Sequence, residues 1–277
     1  MEVKVAVGQL APTEDARANW EAAARLAEAA AQAGASLLIL PEQTMLAGRA
    51  QDPGRFAALA GAAWDWWPAQ LAQAAQSLDI SIVAGGFAPG GAAQLGLAEG
   101  PRAAMTAGGA PDKRPFNVLL AVDSSGQLVA CQPKIHLYDA FTFAESDMVR
   151  PGSPAAAQVL ELAGLKLGLV NCYELRFPER ARALALAGAE ALTVSAAWVR
   201  GPLKEDHWNT LLRARAIENC AYVLAAGTRA KDTIGRSQVI DPGGVTVAGL
   251  GVEAEGLATA VVNTGLIEST REATGSV

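Results

Sequence analysis

The stretch LKLGLVNCYELRFPE, Leu165 to Glu179, sets the frame for the whole chain. Leu165, Leu167 and Leu169 alternate with other residues, which is the period of a strand with one buried face. The run stops at Asn171, and Cys172 follows at once. Phe177-Pro178-Glu179 then opens an Ala/Leu/Arg-rich segment of helical character. Proline is tolerated only in the first turn of a helix, so that helix starts near Pro178. Cys172 is therefore expected at a strand-to-helix turn, held at the edge of a sheet. Backbone N–H groups and a nearby helix N-terminus could favour its thiolate there. The alternative is a buried cysteine acting as a small hydrophobe.

Outward from that turn, composition narrows the field. The chain has 277 residues, of which 51% are hydrophobic and 18% charged, a mixture that excludes disorder. Nothing approaches an apolar run of about eighteen residues, so no membrane span is expected. The opening MEVKVAVGQL reads directly as a strand, without the basic and apolar regions of a signal peptide. Net charge is −6, and Lys113-Arg114 is only a short basic pair, so nucleic acid is not an expected partner. The three cysteines, Cys131, Cys172 and Cys220, are far apart, and there are only two histidines. No metal-ligand spacing occurs, so no structural zinc is expected, and a reducing cytoplasm fits best.

In chain order, strands are expected at Val3–Gly8, Ser36–Leu40, Ile80–Gly86, Leu165–Asn171, Ala191–Ser195, Tyr222–Ala226 and Gly256–Val262. Helices are expected over Asn19–Gln32, capped by Thr13 or Asp15, over Ala69–Ser77, from Pro178, and from Lys204 or Asp206 to Asn219. Phe116–Cys131 and Ser237–Ala248 read as hairpins turning at Asp123-Ser124-Ser125-Gly126 and Asp241-Pro242-Gly243-Gly244. Gly85–Lys113 reads as a long surface connection and Tyr138–Arg150 as a loop. The two halves repeat one order of elements with no linker between them. One domain over 1–277 is expected, with a small, polar, peripheral tail after about residue 264. The fold class is α+β, two facing sheets with helices outside.

Three ionisable residues follow strand ends: Glu42, Lys134 and Cys172. Each has an ordinary reading, as a loop glutamate, a surface lysine and a core cysteine. Their flanks, PEQ (41–43), PKIHLYDAF (133–141) and NCYELRFPE (171–179), resemble the three signature blocks of the carbon–nitrogen hydrolase (nitrilase) superfamily. HWNTLLRARAIENCAYV (207–223) and GRSQVIDPGG (235–244) resemble it too. The likeness runs from Val3 to about Val262 and is strongest to the small amidase branch that includes ω-amidase and the amidase of deaminated glutathione.

The resemblance implies a four-layer α-β-β-α sandwich of two mixed sheets. It implies Cys172 as a nucleophile forming a thioester, Glu42 as general base, and Lys134 with the Tyr173 N–H as oxyanion donors. Phe143-Ala144-Glu145 matches an F-x-E pattern whose glutamate would orient Lys134 and the amide. Glu174 stands where the family usually has Asp, and would brace the turn together with Arg176. Ala197 and Trp198 would line the substrate pocket, Trp198 narrowing it or serving as core. His136 would support the Lys134 loop. The expected activity is cofactor-free hydrolysis of a small carboxamide to acid and ammonia in a cytoplasmic homodimer. A nitrilase, N-carbamoyl hydrolase or N-acyl transferase would use the same trio, and a non-catalytic homologue would keep only the scaffold. A Rossmann-type nucleotide binder would need a GxGxxG turn, which is missing.

Overall fold

The computed structural model describes residues 1–48, 52–90, 112–140, 143–153, 159–275 and 277. The first half supplies β1 (Glu2–Gln9), α1 (Ala16–Gln32), β2 (Leu37–Ile39), α2 (Pro53–Trp64), α3 (Trp67–Leu78), β3 (Ser81–Ala88), β4 (Phe116–Val122) and β5 (Leu128–Pro133). A two-stranded ribbon, β6 (Asp139–Ala140) and β7 (Phe143–Ala144), comes next. The second half supplies β8 (Val159–Leu162), β9 (Leu165–Asn171), α4 (Pro178–Leu186), β10 (Ala191–Ala196), α5 (Lys204–Asn219) and β11 (Tyr222–Gly227). It ends with β12 (Gln238–Ile240), β13 (Thr246–Gly249), β14 (Gly256–Asn263) and α6 (Thr264–Thr274).

Two six-stranded sheets result, ordered β14-β1-β2-β3-β4-β5 and β13-β12-β11-β10-β9-β8. In each, three central strands run parallel (β1, β2, β3 and β9, β10, β11) and antiparallel strands flank them. The sheets are therefore mixed, and the repetition seen in the sequence is a repetition of topology.

Side-chain alternation builds the layers. Val5 and Val7 point into a core shared by both sheets, which also holds Leu165, Leu167 and Leu169 from the facing strand. Ala6, between the two valines, joins a second core under α1, α2 and α3. Val170 joins a third core under α4 and α5. Three cores between four layers give the α-β-β-α sandwich. Asp15 caps α1 through bonds to the Arg17 and Ala18 amides, a contact worth about 1 kcal/mol.

Several expectations shift. Helix α2 was not anticipated, although Asp52 caps it and Pro53 occupies its first turn. Trp67 begins α3 rather than preceding it. Strand β3 runs on to Ala88, and the Tyr138–Arg150 loop contains the β6–β7 ribbon and a 3-10 turn, Glu145–Asp147. The rest of the expected long connection, 91–111, lies outside the described residues. The tail expected to be peripheral forms α6. Its Thr264 and Ile267 are buried and its Arg271 donates to the Ala189 carbonyl. Among the described residues no helix is long and apolar enough to cross a membrane.

Candidate active site

Parallel strands put functional groups at their carboxyl ends, where the chain leaves the sheet. Glu42 follows β2, Lys134 follows β5, Cys172 follows β9 and Ala197 follows β10. Glu42 sits directly over β3. A Cβ on Gly85 would lie 1.6 Å from the Glu42 carbonyl oxygen, so only glycine lets the two segments approach. The amide of Gly85 donates to Pro41, and the Ser195 hydroxyl donates across the sandwich to the Leu40 carbonyl.

Cys172 adopts φ +49, a left-handed conformation uncommon for a side chain with a Cβ. Glu174 holds that turn in place. One of its oxygens accepts from the Asn171 amide at 2.9 Å and the other from the Ile135 amide at 2.7 Å. The elbow and the Lys134 segment are thus joined through one buried carboxylate. Its cationic neighbour is Arg180, at 3.8 Å, not Arg176. Arg180 lies on α4 and also donates to the Leu169 carbonyl. Arg176 instead turns toward the cavity, stacks over Trp198 at 4.9 Å and meets His207 Nδ1 at 3.3 Å. His136 stacks on Phe177 with ring centroids 3.8 Å apart, which ties the Lys134 loop to the start of α4.

Lys134 is fully buried and its ammonium bridges two carboxylates, 2.7 Å from Glu42 Oε1 and 2.8 Å from Glu145 Oε2. Glu42 Oε2 accepts from the Ala197 amide at 2.8 Å, and Glu145 Oε2 accepts from the Tyr138 amide at 2.7 Å. Asn117, a buried residue of β4, donates to Oε1 of both acids.

Burial opposes charge on each member of this group, and the partners decide the outcome. For Lys134, burial is overridden by Glu145 and Glu42, which hold the ammonium well above the usual lysine range. For Glu42, burial is overridden by Lys134, the Cys172 thiol and the Ala197 amide, which keep the carboxyl below its ordinary range. Cys172 moves the other way. Burial and the Glu42 charge push its thiol well above the usual cysteine value, outweighing Lys134. Burial beside the Glu42 carboxylate therefore favours the neutral thiol over the thiolate that the local turn alone could favour. A 3-10 turn of five residues, Cys172–Arg176, follows the sulfur. Its few aligned peptides give little dipole to offset the acids.

A cavity of about 480 Å³ opens onto the trio. Tyr173, Ala197 and Trp198 are among its lining residues, and the Ala197 backbone amide donates to Glu42. Trp198 is both wall and core. It is buried, and its indole donates to the Lys204 carbonyl. Phe56, Phe87, Met148 and Val149 form an apolar end. Arg176 and Lys204 form a cationic one, with Lys204 Nζ 3.4 Å from the Tyr138 hydroxyl. Among the described residues the cavity lining carries three cations, Lys134, Arg176 and Lys204, and two acids, Glu42 and Glu145. Burial and Arg176 push the Lys204 ammonium below the usual lysine range. Among the described residues no cluster of three or more metal-ligand side chains occurs.

Sequence reasoning missed Asn117, Arg176 and Lys204. A polar residue inside the apolar run FNVLLAV was a usable signal for Asn117. In the sequence Lys204 carries only the signal of a helix start.

Comparison with known proteins gives a consistent result. The family profile described as carbon-nitrogen hydrolase matches residues 4–272. The chain is 53% identical to the deaminated glutathione amidase of Escherichia coli O157:H7 over 135 residues, which is 49% of this chain and 51% of that protein. It is 34% identical to the deaminated glutathione amidase of Homo sapiens over 256 residues, 88% of this chain and 72% of that one. It superposes on the C. elegans NitFhit protein with a TM-score of 0.84 at 26% identity, covering 99% of this chain and 64% of that chain.

Proposed function

The chain belongs to the carbon–nitrogen hydrolase family, and from that premise we propose that it is a thiol-dependent amidase whose small-molecule substrate carries a carboxylate as well as the scissile carboxamide. The convergence of Glu42, Lys134 and Cys172 on one cavity carries the reading.

The chemistry follows from the resting charges. Glu42 takes the thiol proton as the Cys172 sulfur bonds to the amide carbon. The carbonyl oxygen becomes an oxyanion, which Lys134 and the Tyr173 N–H stabilise. Glu42 returns the proton to the nitrogen, the C–N bond breaks, and ammonia or an amine leaves a thioester on Cys172. Water, deprotonated by Glu42, then attacks the thioester and releases the acid and the thiol. Glu145 keeps Lys134 charged and oriented. Each half-reaction moves one proton through one carboxylate, so no histidine is needed.

Arg176 and Lys204 support the second part of the reading. They would hold a substrate carboxylate in the cavity and so fix the amide over the sulfur. A panel of small carboxamides, with and without a carboxylate, tests this by release of ammonia or amine. Preference for carboxylate-bearing amides is expected. Equal turnover of neutral amides would remove the carboxylate from the proposal, and turnover of nitriles or carbamoyl compounds alone would replace the amidase reading. Lys204→Met should raise KM about tenfold, the scale of one charge-assisted contact, with little change in kcat. In the unaltered protein KM should rise with increasing pH before kcat falls. Lys204 loses its charge below the usual lysine range, whereas Lys134 keeps its charge well above it.

A cytoplasmic homodimer completes the proposal. The cysteines, all free, suit a reducing compartment. Leu186 on α4 and Ile217 on α5 are exposed apolar side chains that a second copy would cover. Light scattering during size-exclusion chromatography should give twice the chain mass, and a monomeric mass would refute the dimer.

A further inference from the structure

We propose that Asn117 is a positioning residue for this chemistry, holding two like-charged carboxylates on a single lysine and tying them to the strand end that carries the nucleophile. Asn117 is 1% exposed, and every polar atom of its amide is committed. Its Nδ2 donates to Glu42 Oε1 at 2.8 Å and to Glu145 Oε1 at 2.9 Å. Its Oδ1 accepts from Asn171 Nδ2 at 3.1 Å, and Asn171 is the residue before Cys172. The orientation of the amide is therefore fixed by its neighbours, since a flipped group would turn its oxygen onto two carboxylates.

The arrangement answers a charge problem. Two carboxylates confined beside one another repel, and in a dry site one of them ordinarily takes up a proton. Lys134 supplies one positive charge for both acids. The two Asn117 N–H donors supply the remaining stabilisation without adding net charge. An arginine or lysine there would cancel the negative charge Glu42 needs as a base.

Glu42 Oε1 is also filled by this arrangement, accepting from both Lys134 and Asn117. Oε2 holds one backbone donor, from Ala197. The thiol proton is thereby directed to Oε2. Asn171 then makes the register mutual, because a shift of β4 moves the acids and the sulfur together.

The inference rests on the amidase reading for turnover, but its decisive test does not need the substrate. Iodoacetamide alkylation of Cys172 is followed by mass spectrometry as a function of pH. Its acid limb reports the pH below which Glu42 is protonated and can no longer take the thiol proton. Asn117→Leu, similar in size but without donors, should move that limb upward by about one pH unit, slowing alkylation about tenfold at pH values on the limb and little at neutral pH. Asn117→Asp, which brings a third acid, should move it further. Asn117→Ser, which keeps one donor, should fall between Leu and the unaltered protein. An acid limb that stays put in all three folded variants would overturn the proposal, whatever happens to turnover. Failure of all three to fold would overturn it as well, since the residue would then be a structural requirement. Loss of amide turnover by the unaltered protein, with the alkylation shift intact, would instead count against the amidase reading alone.

Discussion

Cys172→Ala should abolish amide turnover, by a factor on the order of 10⁵ in kcat, while the protein stays folded and still binds substrate. The residue is nearly buried but small, so replacing its sulfur removes about one methylene-sized group and costs about 1 kcal/mol. The thiol is also the one member of the trio that carries no charge at rest. Its removal leaves the Glu42–Lys134–Glu145 ion network complete. Two measurements decide the matter. Mass spectrometry of the unaltered protein, quenched during turnover, should show an acyl adduct on Cys172 whose mass names the acyl group. The variant should show none. Ammonia or amine release by the variant at the normal rate would refute thioester chemistry.

Lys134→Met should have the largest effect on stability. Removing one partner of a buried ion pair costs about 3–5 kcal/mol, because the remaining charge is stranded. Here two carboxylates, Glu42 and Glu145, are left facing each other. At about 2–4 °C per kcal/mol, the thermal midpoint at neutral pH should fall by roughly 10 °C. The sign of the pH dependence is distinctive. In the unaltered protein Glu42 has a lowered folded pKa, so its contribution is present above the ordinary carboxylate range and lost as pH falls through that lowered value. In the variant the repulsion between the two stranded carboxylates is relieved by protonation instead. The gap between the two proteins should therefore be widest at neutral pH and narrow as pH falls toward about 4. A gap that stays constant with pH would mean that packing of the lysine stem, not its charge, accounts for the loss.

The parts of this architecture with a local cause were open to sequence reading. Pro178 fixed the start of α4, the period of Leu165, Leu167 and Leu169 fixed the face of β9, and the two together located Cys172. The parts that depend on a distant partner were not. Arg176 ends the 3-10 turn and Arg180 lies on α4, and only the packing of α4 on β9 shows which of them accompanies Glu174. Asn117 and Asn171 are far apart in the chain and meet only because two sheets face each other. The ionisation of Cys172 was misjudged for a related reason. A strand-to-helix turn suggests a favoured thiolate when only local dipoles are counted, but burial, and then Glu42 arriving from the opposite sheet, push the thiol the other way. Helix α2 was overlooked although its cap and proline were present, because an Ala/Gly-rich stretch offers little periodicity to detect.

The neutral sulfur has a bearing on oxidative stress. Hydrogen peroxide oxidises cysteine through its thiolate, so a site that withholds that form until a carbonyl arrives is a poor peroxide target. Nucleophiles that sit ionised in an open cleft gain speed at the expense of durability. Burial beside Glu42 thus disfavours the form of Cys172 that peroxide attacks.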